Sequence, residues 1–365
     1  MGDRFDVVEH VLQTLKHGGR SSTYKHAVLI GLLDLCLEQS NAQGWPPSSI
    51  TTRQLAEKVI ELYWPQVRPW GDLSLRQNAG PRTFILRRIT ELRNAASSHG
   101  GVGAGPARVR LTMPEDYEKL VRGVEWKLIE MPLPKLQRVG KQDTGWFYTI
   151  GWDDGANMPK KGDVSRYQAG LSSDFDNRIL LHAEVAMAFV RLHGLLRPFV
   201  EQEWAKDVAT LNRLDEGRLH DFLFGAQRTS LERVRTPLYD LQSGSCFYCG
   251  GGMAANGSQV DHFIPWARHA DNGLHNLVLA HGQCNRDKSD FLAGVAHIAR
   301  WRERNETRAS HLAQLASELT WEIGSDRTLG AARALYWQLP ATARLWVSAR
   351  SFEIAEAGHL RRALV

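Results

Sequence analysis

Cysteine is scarce in this chain, four residues in 365, too few and too unevenly spread for the disulfide framework of a small secreted domain. A reducing cytoplasm is the expected setting. Long apolar runs are missing as well. No stretch approaches the roughly 18 uninterrupted apolar residues of a spanning helix. The opening residues, Met1-Gly-Asp-Arg-Phe-Asp6, lack the basic-then-apolar order of an export signal. There is no internal repeat and no low-complexity tract. Charge of either sign barely prevails: 45 Lys and Arg against 40 Asp and Glu leave +5, a mild basic excess compatible with a polyanion partner and with many proteins that have none. The fourth cysteine, Cys36, lies in the apolar run Ala27–Leu37 and is read as a core residue.

What is present is concentrated between residues 246 and 291. Cys246-Phe-Tyr-Cys249 is followed at a distance by His281-Gly-Gln-Cys284. A C-x-x-C turn offers two thiolates to one cation, and a second knuckle from a distant part of the chain completes a tetrahedron. The ligand set is therefore Cys246, Cys249, His281 and Cys284, with His269 or His275 as substitutes for His281. The competing reading, a redox pair or disulfide at Cys246 and Cys249, lacks a βαβ setting and leaves the second knuckle unexplained. Between the knuckles, Val260–Ile264 and Asn276–Ala280 have strand character, joined by the loop Pro265–Gly273. Phe291, Leu292, Val295 and Ile298 then mark one face of a helix expected over 285–298. Strand, strand and helix closed by zinc form a ββα unit too small for a sufficient core of its own, stabilised by its metal.

The polar residues of that unit suit phosphodiester hydrolysis. A water nucleophile needs a base with a pKa near neutrality, and His262 is the candidate. Asp261 and Asn285 offer hard oxygens to one Mg²⁺ or Mn²⁺. Asn276 is expected to fix the loop and orient His262, unless it merely caps a turn. Lys288, one turn beyond Asn285, is expected to contact phosphate. Arg268 and Arg286 are solvated or phosphate-facing charges, and His269 and His275 are expected as loop or surface histidines.

The pattern C-x-x-C, D-H-x-I-P, N-L-x-L, C-N-x-x-K-S-D resembles the HNH endonuclease family of ββα-metal nucleases, and the stretch Asn276–Asp290 is also similar to the HNH domain of CRISPR effectors. The resemblance covers roughly 50 to 60 residues and rests on four separately spaced elements. It implies one catalytic divalent ion, a histidine base at His262, metal ligands at Asp261 and Asn285, a role for Asn276, and products with a 3′-hydroxyl and a 5′-phosphate. Two departures stand out: His281 replaces the usual third cysteine, and Asn285 stands where the last histidine of the motif is expected.

Outside this unit the pattern is mostly helical. Phe5–Leu15, Tyr24–Leu37, Gln54–Tyr63 (opened by a capping box at Thr51 and Gln54) and residues 81–95 have helical spacing. The last carries Arg87 and Arg88, which suggests either a helix-turn-helix or winged-helix DNA reader or a solvated face of a plain bundle. Residues 97–106 read as a linker in preference to a phosphate loop, having neither a preceding strand nor a Lys-Ser/Thr. Arg108–Thr112 and Gly145–Trp152 are expected strands, residues 114–129 a helix, and 177–211 an almost continuous helix kinked at Pro198. A helix over 221–241 delivers Arg228, Arg233 and Arg235 to the edge of the zinc unit as phosphate contacts. Helices are expected over 297–304, 310–321 and 329–354.

The resulting expectation is a mostly α-helical α+β protein in four regions. These are a helical domain at 1–96, an α+β region with long helices at 107–240, the HNH module at 241–300 and a helical cap at 301–365. Its expected function is metal-dependent DNA cleavage, nicking or double-strand, with catalytic Mg²⁺ or Mn²⁺ and structural Zn²⁺. By analogy with restriction and phage-defence nucleases, it would act beside other proteins of such a system. The alternatives are a zinc-dependent DNA-binding scaffold that no longer cuts, or an HNH nuclease acting on RNA.

Overall fold

The computed structural model describes residues 4–17, 22–80, 84–98, 105–139, 142–143, 145–172, 174–225 and 231–365. Helices dominate, with small two- and three-stranded sheets between them, and no helix among these residues is long and apolar enough to cross a membrane. The chain forms two compact units, Met1–Cys36 with Pro47–Gln227, and Leu37–Pro46 with Arg228–Val365. The expected boundary at 97–106 thus falls inside the first unit.

The first unit begins with α1 (Arg4–His17) and α2 (Tyr24–Glu38), followed by β1 (Ser49–Thr51) and α3 (Thr52–Tyr63). The capping box is formed: Thr51 Oγ1 accepts from the Gln54 amide while Gln54 Oε1 accepts from the Thr51 amide. Then come α4 (Phe84–Ser98), α5 (Pro106–Thr112), α6 (Pro114–Glu130), β2 (Arg138–Val139), β3 (Gln142–Asp143) and β4 (Tyr148–Ile150). The unit ends with α7 (Lys161–Gln168), β5 (Arg178–Leu181), α8 (Ala183–Arg191), α9 (His193–Asn212) and α10 (Leu219–Phe224). β5 is the middle strand of an antiparallel sheet ordered β1-β5-β4. Its core is aliphatic and aromatic, with Cys36, Ile60, Tyr63, Phe147, Phe189 and Trp204 essentially inaccessible.

Several expected elements differ. Residues 108–112 alternate like a strand, but Pro106 sits at a helix N-terminal position where its fixed φ favours helix and its missing N–H costs nothing. The segment 177–211 is a strand, then two helices broken at Leu192, ahead of Pro198. α3 and α4 are separated by residues 64–83, far more than the three or four residues of a helix-turn-helix joint.

The second unit contains α11 (Glu232–Leu241), β6 (Ser258–His262), β7 (Leu277–His281), α12 (Gly282–Lys288), α13 (Val295–Thr307), α14 (Ala309–Leu319), α15 (Ser325–Trp337), β8 (Arg344–Ser348), β9 (Ser351–Ile354) and α16 (Ala357–Leu364). The expected helix over 285–298 is two helices, because Ser289 takes a left-handed φ of 48° and ends α12. The expected helix over 329–354 stops at Trp337, ahead of Pro340, and the rest is the hairpin β8–β9. The strand propensity of Leu345-Trp-Val347 prevails there. The 221–241 helix is likewise two pieces, α10 and α11.

β6 and β7 pair antiparallel with Asp261 opposite Val278 and His262 opposite Leu277. Four of the five β7 residues are buried, as befits an apolar run covered on both faces. One core joins Phe263 and the β7 side chains to Trp301 of α13, Tyr336 of α15 and Trp346 of β8. The ββα unit is therefore not freestanding: the helices and hairpin beyond it in the chain supply much of its apolar interior.

Candidate functional site

The four predicted zinc ligands converge. One ligand atom each from Cys246, Cys249, His281 and Cys284 lies within 4.8 Å of all the others. The first knuckle is built by the Cys246 amide donating to the Gly251 carbonyl (2.8 Å) and the Gly250 amide to the Cys246 carbonyl (2.9 Å). The Phe247 amide docks it on β7 through the Leu279 carbonyl at 2.9 Å. His281 Nε2 meets the Gly252 carbonyl at 3.2 Å. A carbonyl only accepts, so Nε2 carries the proton and Nδ1, 3.3 Å from Cys249 Sγ, is left as the ligand atom. Burial and the neighbouring Cys246 and Cys249 push the Cys284 thiol up to about 12. Three sulfurs and a nitrogen this close have the chemistry of a structural Cys₃His zinc site.

α12 carries both kinds of ligand. Cys284 is followed directly by Asn285, whose amide Nδ2 donates to Gln259 Oε1 on β6 at 3.1 Å and leaves its Oδ1 for another partner. Gln259 and Asp261, two apart on β6, share one strand face. Asp261 is buried. Its Oδ2 accepts from the Tyr248 hydroxyl at 2.5 Å and lies 3.1 Å from Lys288 Nζ. Its second oxygen remains for a cation, so the donor set of Asp261 and Asn285, two hard oxygens with the remaining positions left to water and phosphate, fits Mg²⁺ or Mn²⁺.

Lys288 departs from expectation. Instead of reaching phosphate, it is fully buried, donating to the His262 carbonyl at 2.9 Å and pairing with Asp261. Burial lowers its pKa while Asp261 opposes the shift. Asn276 departs in part. It is fully buried, and its side chain accepts from the Ile264 amide (2.7 Å) and donates to the Asp271 carbonyl (2.9 Å) and the Ile264 carbonyl (3.2 Å). It staples the loop, but the partner of His262 is Asn272: His262 Nε2 lies 2.9 Å from Asn272 Oδ1. With Nε2 donating there, Nδ1 keeps the lone pair. Burial lowers the His262 pKa from its ordinary value, which favours the neutral ring, with Asn272 and Asp261 acting against the shift.

The loop holding Asn272 is anchored by residues that sequence reasoning passed over. Asp271 is completely buried, pairs with Arg327 at 2.7 Å, accepts from the Thr328 hydroxyl, and accepts from the Gly273 amide at 2.9 Å. Burial alone would raise its carboxyl, but Arg327 and His269 beside it hold it well below the usual range. The Trp321 indole donates to the Asn272 carbonyl at 2.7 Å, and the amides of Leu274 and His275 pair with the carbonyls of Glu322 and Ile323. Gly273 is required: a Cβ there would stand 2.9 Å from Gly324 Cα and the Ile323 oxygen. From α13, the Arg304 guanidinium caps the carbonyls of Leu277 (2.6 Å) and His275 (2.9 Å), and Arg300 those of Phe247 and Tyr248. Trp301 stacks on Phe263 at 4.7 Å between centroids. The available signals were the Asp271-Asn-Gly273 turn and the Arg300, Trp301, Arg304 spacing along one helix face.

The remaining expectations divide. His269 is buried, 3.6 Å from Glu38, and is not a surface residue. His275 is half-buried, with its pKa lowered to about 4 by burial and by Arg304. Arg268 and Arg286 are exposed, Arg268 Nε lying 3.5 Å from the Asp290 carbonyl and Arg286 donating to Gln283 at 2.9 Å. Arg233 donates to the Leu319 carbonyl at 2.9 Å, and Arg235 pairs with Glu232. In the first unit Arg87 and Arg88 both face Glu91, at 3.8 and 3.0 Å. Arg228 lies outside the described residues.

Comparison with known proteins adds two matches. The family model described as a domain of unknown function (DUF8808) matches residues 3–223. The model described as HNH endonuclease matches residues 246–293, which span both zinc knuckles and the residues between them. No curated protein and no solved structure matches the chain.

Proposed function

We propose that this chain, which belongs to the DUF8808 family through residues 3–223, is a metal-dependent endonuclease that hydrolyses DNA phosphodiester bonds at its HNH module. The observation that carries this reading is the His262 ring, held through Nε2 on Asn272 Oδ1 at 2.9 Å, on the strand that also bears Asp261. Such a ring accepts a proton from the attacking water, a step worth typically 10²- to 10⁴-fold. Asp261 and Asn285 would hold one Mg²⁺ or Mn²⁺. When bound, that ion supplies Lewis-acid charge at the scissile phosphate and leaving oxygen. Lys288, fixed between the Asp261 carboxylate and the His262 carbonyl, ties their strand to α12. Arg268 and Arg286, exposed beside the site, are the phosphate contacts, taking the part first expected of Lys288. Zinc holds the fold and takes no part in cleavage. By analogy alone, we place the protein among cytoplasmic restriction or anti-phage nucleases that work with partner proteins.

Plasmid cleavage tests the proposal. With Mg²⁺ or Mn²⁺ the zinc-loaded chain should convert supercoiled DNA to open-circle or linear product. His262→Ala should lose at least 10²-fold in rate with zinc content and melting temperature unchanged. A wild-type chain that holds one zinc and cuts neither DNA nor RNA would sink the enzymatic reading.

A further inference from the structure

In the first unit a groove of about 480 Å³ lies between α4, α6 and α7, within the size range of small-molecule sites. Its wall on α6 is Lys119, Arg122, Gly123, Trp126 and Lys127, a stripe at the i, i+3, i+4, i+7 spacing of one helix face. The core-facing side chains of α6 are different residues, Tyr117, Leu120, Val121, Val124 and Leu128, so this stripe is not needed to hold the helix. Phe84 of α4 supplies a second aromatic surface and Lys161 of α7 a fourth cation. Gly123 matters to the shape: a Cβ there would stand 3.2 Å from the Phe84 ring, so glycine lets that ring lie against the α6 backbone.

The charge in the groove is lopsided. Four cationic side chains line it against one carboxylate, Glu130, which Lys127 already engages at 2.7 Å. Lys119 makes an exposed i, i+3 pair with Asp116, of the weak kind readily exchanged for a stronger anion. Arg122 shares the Glu118 carboxylate with Arg53. Lys161 is exposed and has no ion pair among the described residues. Cations around two half-buried rings in a concavity complement a ligand with an anionic end and a flat apolar one.

We propose that this groove binds a nucleotide, its phosphate on the cations that line it, Lys161 among them, and its base against Trp126 and Phe84. The ligand is either a free nucleotide or the phosphorylated end of a strand. The two share this chemistry and differ in whether a further nucleotide is joined to the sugar.

Isothermal calorimetry on the zinc-loaded full chain tests the proposal. The probes are ATP, AMP, inorganic phosphate, and a short oligonucleotide with and without a 5′-phosphate. At least one nucleotide probe should bind at one per chain, and phosphate alone at least tenfold more weakly. Lys161→Glu, an exposed change that does not threaten the fold, should weaken binding at least tenfold, and Trp126→Ala about tenfold through lost stacking. Binding of ATP or AMP assigns the site to free nucleotides. Binding only of the phosphorylated oligonucleotide assigns it to strand ends. Absence of heat with every nucleotide probe, phosphate binding as tight as nucleotide binding, or affinity unchanged by Lys161→Glu would overturn the proposal.

Discussion

In the first unit the buried carboxylate Asp34 on α2 meets His193 at 2.9 Å and Arg197 at 3.0 Å, both on α9. In the second, Asp271 meets Arg327 and Thr328, and Asp261 meets Lys288 and Tyr248. Both units bury paired charge, and burial of each pair is tolerated because the partners are close and hydrogen-bonded. They differ in what the charge holds. Asp34 links two regular helices whose apolar faces already pack, with Leu32, Leu33, Leu196 and Val200 buried around it. Asp271 lies in the irregular segment between β6 and β7, where no backbone ladder fixes the chain. There, Arg304 of α13, Arg327 and Thr328 of α15 and Trp321 between α14 and α15 substitute for secondary structure. In a helical scaffold buried charge adds specificity to a shape already set, whereas in the nuclease-like loop it sets the shape.

The largest expected effect comes from removing zinc. Ion binding in small Cys/His sites is worth about 10 to 16 kcal/mol. Chelation or Cys246→Ser should therefore collapse amide-exchange protection across β6, β7 and α12 while the amides of α2, α3 and α9 stay protected. Loss of protection in both units together would abolish the distinction between them.

Next in size are the carboxylates. Asp271→Asn and Asp34→Asn each remove one carboxylate from a buried network in which Arg327 keeps Glu322 and Arg197 keeps Glu201, at a cost of about 1 to 3 kcal/mol in weakened charged hydrogen bonds. Thermal melts should register both. Only Asp271→Asn should also slow cleavage, because only that loop presents Asn272. Equal effects on activity would argue against the contrast. Both carboxyls are held below the usual range by their cationic partners. Their stabilisation is thus full above the unfolded carboxyl pKa, about 3.9, and is lost as pH falls toward the folded value. Acid should therefore weaken both units below about pH 4.

The smallest effect is a shift in a profile. Asn272→Asp places a carboxylate against His262 and favours the imidazolium. The acid limb of the cleavage pH profile should then move up by about one pH unit, with little change at alkaline pH. An unmoved limb would mean that Asn272 does not hold the base.

Much of the second unit was legible because its chemistry is compressed. Cys246, Cys249, His281 and Cys284 announce themselves by spacing and converge, while Asp261 and His262 lie between the knuckles and Asn285 directly beyond the second, which marks them as candidates. Lys288 misled because a lysine one turn from a metal ligand reads as a phosphate contact, and only the fold reveals that Tyr248 and Asp261 enclose it. Asn272 was invisible because Asp-Asn-Gly is an ordinary turn sequence, and the side chains that hold its loop, Trp321 on the Asn272 carbonyl and Arg327 on Asp271, arrive from some fifty residues away. The first unit was legible only locally. Its helix starts and apolar faces could be read, as at Thr51 and Gln54, but periodicity carries through a break such as that at Leu192. The α6 stripe resembles any solvated helix face until Phe84 and Lys161 are brought opposite it.

One peptide bond separates Cys284 from Asn285. The ligand that closes the structural site and the residue proposed to hold the catalytic ion thus stand side by side on a helix of seven residues, Gly282–Lys288. Loss of the structural ion would therefore free the end of the helix that carries Asn285, so the structural site and the proposed catalytic one would fail together.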